Sequence, residues 1–267
     1  MIDAHCHISM YPRKQQGELL QKLRARGFEA LMMAGYDPKD WQEQRRLSSE
    51  QPCLPLLPVF GLHPWHLHEL DDDQFHQQLH NLAGALPEAV ACGELGLDYY
   101  IEGVDRQQQI RRCTMILDLA CEQNLPVVIH CVRAHHDMIR LVKERRSKLA
   151  GGMVHSFVGN VQIAKSYWDL GLCTSFSPFT MRTPRDDLYQ QAPSELFLIE
   201  TDAPQAIDPK LDWQFPNMTT PEQLITVAET VARARSVSPS EIFAINRRNI
   251  ISHFPKAAAH LRPAETA

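Results

Sequence analysis

No stretch of the 267-residue chain approaches the roughly 18 consecutive apolar residues that a membrane helix needs. The opening MIDAHCH lacks the basic segment and apolar run of a secretion signal. Cysteines number seven, an odd count with no C-x-x-C pair. That fits the reduced thiols of a cytoplasmic protein and not a disulfide framework. Basic excess is missing too: 27 Lys and Arg face 32 Asp and Glu, for a net charge of −5. Proteins that coat duplex DNA neutralise many phosphates with cationic side chains, so this balance argues against that mode. It leaves open a phosphate-bearing substrate held through metal ions.

Several catalytic signatures are also absent. There is no G-x-S-x-G nucleophile elbow, no G-x-x-x-x-G-K-[ST] phosphate loop, no G-x-G-x-x-G turn and no H-E-x-x-H helix. Some dinuclear barrel hydrolases bridge their metals with a carbamylated lysine after the fourth strand. No lysine occurs here between Lys39 and Lys143, and Glu94 takes the corresponding place.

What the chain does have is a regular alternation. Hydrophobic residues make up 44% and charged residues 22%, enough for a large core without staples. A first strand is expected to end near Ala4, with further strands over 28–34, 54–60, 89–92, 126–129, 152–154, 172–176 and 196–199. Helical patterns separate them over 15–26, 38–50, 71–86, 105–123, 134–149 and 160–170, with a short helix at 184–191. Gly27 reads as a C-cap, and Pro221 after Thr220 opens a further helix. Ser238 and Glu241 form a capping-box pattern for the last helix. Strands alternating with helices predict a parallel sheet covered by helices. Eight such units in about 250 residues fit a (β/α)8 TIM barrel. An open doubly wound sheet is the alternative. The barrel is read as a single domain over 1–267, with an Ala-rich tail from about 255 expected to fray.

The positions of His, Asp and Glu carry the chemistry. His5 and His7 follow the first strand, two residues apart, so an extended chain points both to one face. Glu94 follows the fourth strand, His130 the fifth, His155 the sixth and Asp202 the eighth. In a barrel all six lie at the C-terminal mouth, where such enzymes build their sites. Any one of them has an ordinary structural explanation, but independent structural roles would not all fall at one end of successive strands. Imidazole and carboxylate together suit divalent metals, and a carboxylate between two groups of ligands can bridge two ions. Cys6 and Cys131 flank these positions and read as small buried thiols. Arg133, Arg140, Lys143, Arg145, Arg146 and Lys148 could guide a polyanion toward the mouth, with a solvated helix face the favoured reading.

DAHCHI at the start, GLHPW at 61–65, GELGLDYY at 93–100, IHC at 129–131, VHSFVG at 154–159 and ETDAP at 200–204 together resemble the TatD family of metal-dependent hydrolases. The six motifs stand in the family's order over nearly the whole chain. The resemblance implies an amidohydrolase-like barrel with two divalent ions (Mg, Mn, Zn or Ni). One would be held by His5, His7, Glu94 and Asp202, the other by Glu94, His130 and His155. It also implies deoxyribonuclease activity, with His63 of the GLHP motif in the substrate pocket. Two departures touch phosphate-binding positions. The family's Arg two residues after the strand-five His is Val132 here, with Arg133 next. The family's Arg-Asn-x-Pro segment is Phe215-Pro216-Asn217-Met218 here, without the Arg.

The expected reaction is therefore metal-dependent hydrolysis of a phosphodiester, most directly single-stranded DNA, with Asp202 as the proton acceptor and Arg133 or His63 contacting substrate. An amide or ester hydrolase, such as a deacylase of an aminoacyl nucleic acid, would use the same six ligands. A non-catalytic metal-binding scaffold is disfavoured by the intact ligand set. The chain is expected to act without a membrane, and a monomer is compatible with it.

Overall fold

The computed structural model describes residues 1–183, 185–204 and 218–261. Among them the strands are β1 (Ile2–Cys6), β2 (Ala30–Met33), β3 (Leu56–Leu57), β4 (Val59–Phe60), β5 (Ala91–Asp98), β6 (Val127–Val132), β7 (Gly152–Val154), β8 (Cys173–Phe176) and β9 (Phe197–Ile199). All pair in parallel, in the order β1-β2-β3 and β4-β5-β6-β7-β8-β9. The expected third strand is broken at Pro58, which has no N–H for a ladder. Its first half pairs with β2 and its second with β5. Counting it as one bent stave gives the eight staves of the (β/α)8 barrel.

Helices cover the outside: α1 (Arg13–Ala25), α2 (Pro38–Glu50), α3 (Pro64–His68), α4 (Asp72–Ala85), α5 (Arg106–Glu122), α6 (His135–Glu144), α7 (Val161–Trp168), α8 (Asp186–Gln191), α9 (Leu224–Arg235) and α10 (Pro239–His253). Their starts are written locally. The Asp37 side chain accepts from Asp40 N ahead of Pro38, and Asp71 and Gln74 form a reciprocal capping box. Ser238 Oγ accepts from Glu241 N. Thr220 and Gln223 cap a 3-10 turn, Pro221–Gln223, that leads into α9. Two of the six basic residues read around α6 pair with acids: Arg140 with Glu144, and Arg145 with Asp118. No helix among the described residues is long and apolar enough to cross a membrane.

One buried cluster joins the outer faces of the strands to the helices. A second, including Ile2, Ala4, Ala30, Met32, Leu57, Val59, Ala91, Val128, Met153, Cys173 and Leu198, fills the barrel interior. Its lower end is closed by Ile250, Phe254 and Ala257. The segment expected to be loose thus packs in its described part: Pro255–His260 winds into 3-10 turns and Lys256 Nζ donates to Pro87 O and Ala89 O.

Three strands extend beyond their expected ends, β1 to Cys6 so that it takes in His5. β5 runs to Asp98 and β6 to Val132, so Glu94 and His130 lie within strands and not after them. Polar residues and glycines hide this continuation in the sequence, because the apolar run stops at Cys92. Gly96 is required by it: at φ +149°, a Cβ would lie 1.9 Å from His130 O.

The seam between β9 and β1 is stitched mainly by side chains. Backbone contact is limited to an isolated bridge at Cys6–Ala203, with Asp202 N donating to His5 O at 2.9 Å and His7 N to Ala203 O at 2.6 Å. Below it, Asn246 of α10 accepts from Ile199 N at 2.9 Å and donates to Ile2 O at 2.8 Å. Between the two, Asp3 Oδ1 accepts from His5 N and Thr201 N, and Oδ2 accepts from Thr201 Oγ1. Burial pushes the Asp3 carboxyl up to about 8 against these hydrogen bonds.

Candidate metal centre

Strand alternation continues the interior face up to the mouth. Val128 and Met153 line the barrel interior, and His130 and His155 lie two residues beyond them. Leu198 is followed on the same face by Glu200 and Asp202. The register slips between Asp3 and Cys6 in β1, and between Gly93 and Leu95 in β5. Each slip re-aims the side chains beyond it, which brings His5, His7 and Glu94 inward.

Glu94 sits at the centre. Its Oε1 lies 3.6 Å from His5 Nε2 and 3.3 Å from His7 Nε2. Its Oε2 lies 2.7 Å from His155 Nε2, 3.5 Å from His130 Nδ1 and 3.6 Å from His63 Nε2. One carboxylate thus addresses two groups of imidazoles, one through each oxygen. Asp202 Oδ1 is 3.3 Å from His7 Nε2 and 3.7 Å from His5 Nε2. Three sets of donor atoms each fall within 4.8 Å of one another: His5, His155 and Asp202; His5, His7 and Glu94; His63, Glu94 and His130.

The electrostatics follow from this crowding. Burial alone would raise the Glu94 carboxyl, but His155, His63, His5 and His130 hold it well below the usual carboxylate range. Asp202 is lowered against burial by His7, His155 and His5. Against the same burial, the carboxylates raise His155, His7 and His130. His63 goes the other way, held well below its ordinary value by burial. The buried atoms His5 Nε2 and Glu94 Oε1 have no hydrogen-bond partner among the described residues. Unpartnered buried polar atoms are costly. A divalent cation would satisfy both, and imidazole with carboxylate is a donor set suited to one.

Two further carboxylates stand behind the imidazoles. Asp98, 2% exposed, lies 3.1 Å from His130 Nε2 through Oδ2. The same oxygen accepts from Trp65 Nε1 at 2.7 Å, and Oδ1 accepts from Tyr100 N. Held at Nε2, His130 turns Nδ1 toward Glu94, as outer carboxylates do for metal-binding histidines. Glu200 accepts from Ser156 N and Ser175 Oγ, both at 2.7 Å, and faces His155 Nδ1 at 3.7 Å, too long for a hydrogen bond. The sequence reading passed over both. The signal was available: Asp98 is four residues beyond Glu94 and Glu200 two before Asp202, so alternation places each on its neighbour's face. Ser156 and Asp202 take left-handed backbone at φ 43° and 54°, at the points where the chain turns away from the site.

A cavity of about 150 Å³ opens above these groups, and Met10, Tyr36, His63, Trp65 and Pro204 share its lining with His7, Glu94, His130, His155 and Asp202. His63 Nδ1 accepts from Trp65 N at 3.1 Å, so the neutral ring carries its hydrogen on Nε2, which points at His130 Nδ1 3.3 Å away. Arg133 is exposed on the rim outside this lining, its guanidinium 4.6 Å over the Tyr100 ring. Phe215, Pro216 and Asn217 of the second departing motif lie outside the described residues. Burial pushes the Cys131 thiol up to about 12 and Cys6 well above its ordinary value, so neither is an activated nucleophile.

The chain is 27% identical over 274 residues to human deoxyribonuclease TATDN3, covering 96% of this chain and 95% of that protein. It is 30% identical over 195 residues to the 3'-5' ssDNA/RNA exonuclease TatD of Rahnella sp. (strain Y9602), covering 72% and 73% of the two chains. The crystal structure of YJJV, a TatD homologue from Escherichia coli K12, superposes with a TM-score of 0.83 at 26% identity, covering 96% of this chain and 98% of that one. The family model for TatD related DNase matches residues 2–255. With that match spanning nearly all of the barrel, the chain belongs to the TatD related DNase family.

Proposed function

We propose that the protein is a hydrolase that uses two divalent cations to cleave phosphodiester bonds of single-stranded nucleic acid, most directly DNA. The observation that carries this reading is the division of Glu94, with Oε1 toward His5 and His7 and Oε2 toward His130 and His155. On this reading one cation is held by His5, His7, Glu94 and Asp202, and the other by Glu94, His130 and His155. Bound there, divalent ions lower the pKa of water and neutralise charge developing on a phosphoryl group. Magnesium, manganese, zinc and nickel are the candidates.

The chain's own groups supply the rest. Asp202, whose Oδ1 lies beside His7, would take the proton of the attacking water. His63 lines the cavity with its hydrogen on Nε2, facing His130 Nδ1; with a cation on His130 that N–H would turn to a phosphate oxygen. Asp98 keeps His130 in place through Nε2. Arg133, at the rim, meets the substrate outside the cavity.

The test is a metal-stripped preparation reloaded in turn with each of the four metals and offered single-stranded DNA, a simple phosphodiester and a panel of carboxylic esters. Metal-dependent cleavage of DNA is expected. Ester cleavage without DNA cleavage would replace this reading with a deacylase. No turnover with any metal would remove it.

A further inference from the structure

Among the described residues the exposed large hydrophobic side chains are Met10, Trp65, Tyr100 and Val158, at 45%, 48%, 64% and 46% exposure. They follow β1, β4, β5 and β7, so all four stand at the C-terminal rim of the barrel. Apolar surface gathered at one place marks a binding face more often than chance exposure does. Trp65 and Met10 also line the cavity above the candidate ligands.

Trp65 differs from a loose surface ring. Its indole N–H donates to Asp98 Oδ2 at 2.7 Å, and that oxygen is also 3.1 Å from His130 Nε2. The ring stands edge-on to His63, centroids 5.6 Å apart and planes at 90°. A buried carboxylate therefore fixes an exposed aromatic face relative to the imidazoles of the cleavage site. A face held in advance loses little conformational entropy when it is covered. The flat group that covers it must lie within a few bonds of the scissile phosphate. In a nucleic acid that group is a nucleobase, and it is available only where the strand is unpaired.

We propose that Trp65 is the stacking platform for a base beside the scissile linkage of a single-stranded nucleic acid, and that Asp98 ties this platform to His130. The proposal rests on the phosphodiesterase reading above and names how that site takes its substrate. Trp65 contacts the base; Asp98 is a positioning residue. Stacking accepts every base, so the platform confers a preference for unpaired strands and not for a sequence.

The experiment measures binding apart from turnover. Manganese-loaded protein is titrated with short phosphorothioate-linked oligonucleotides, intact or carrying an abasic nucleotide at either end, with strand integrity checked on a gel. Wild type is expected to bind the intact strand roughly 5- to 100-fold more tightly than one of the abasic strands. Trp65→Ala is expected to lose that discrimination while keeping its affinity for the abasic strand. Trp65→Phe keeps a ring and loses the bond to Asp98, and is expected to fall between the two. Equal binding of all strands by wild type, no binding at all, or discrimination surviving in Trp65→Ala would overturn the platform. A Trp65→Phe protein indistinguishable from wild type would overturn the tie to Asp98. Failure of the phosphodiesterase reading shows separately, as absence of DNA cleavage by metal-loaded wild type.

Discussion

Replacing Asn246 by leucine tests how the barrel is closed. The side chain is fully buried and spans the β9–β1 seam, accepting from Ile199 N and donating to Ile2 O. Leucine has the same number and branching of heavy atoms and neither bond. Two buried backbone groups lose their partner, each at about 1–3 kcal/mol, and the added apolar contact offsets a part. The net expectation is a loss of about 2–4 kcal/mol, a sizeable share of the roughly 5–15 kcal/mol that holds a domain together. The assay is urea unfolding: the midpoint should fall with the slope unchanged. Asn249→Leu serves as the comparison. Asn249 donates to Ser194 O and Phe197 O, both on the β9 side, so it stabilises without crossing the seam. Both variants should unfold earlier, but Asn246→Leu alone should weaken manganese binding, because His5, His7 and Asp202 meet across that seam. A loss below about 1 kcal/mol for Asn246→Leu, or equal metal affinity in the two variants, would refute the reasoning.

Four other outcomes are expected. Manganese at a hundred times its dissociation constant should stabilise the fold by about 2.7 kcal/mol, raising the thermal midpoint by roughly 5–10 °C, with the gain abolished by chelator; scanning fluorimetry reads it directly. Asp202→Asn should lower turnover by at least about a hundredfold while retaining part of its metal, and near-normal turnover would remove Asp202 from the proton-accepting role. Gly96→Ala places a Cβ 1.9 Å from His130 O at φ +149°, so it should destabilise by about 3 kcal/mol or more, or prevent folding, as judged by circular dichroism and unfolding. Arg112→Met removes the guanidinium that donates to Leu67 O and Leu70 O at 2.6 and 3.0 Å; Leu67 O keeps a backbone donor in Leu70 N, so the change should cost about 1–3 kcal/mol in the same unfolding assay.

The helices that cover the barrel were legible because their signals are local. Asp37 before Pro38, Asp71 with Gln74, and Ser238 ahead of Glu241 lie within four residues of what they cap. The six candidate ligands were legible for another reason: a parallel barrel puts every strand's C-terminal end on one rim, so strand order alone brings His5, His7, Glu94, His130, His155 and Asp202 together. Asp98 and Glu200 were as near in sequence but carried no separate signal, since a carboxylate behind a histidine is distinguished only by what it touches. Trp65 read as part of a motif, and its exposure and bond to Asp98 could not be read from neighbours in the chain.

Periodicity and capping thus located most strands and helices from sequence, though not α3, and chain order brought the candidate residues to one mouth. Packing in three dimensions decided the rest. It carried β5 through Gly96 to Asp98, broke the third stave at Pro58, and slipped the register of β1 and β5 so that His5, His7 and Glu94 turn inward. It gave the two oxygens of Glu94 different partners, and it closed the barrel with Asn246 and Asp3 across more than 190 residues of chain. Those features depend on contacts between residues remote in sequence, and no local pattern encodes the distance between them.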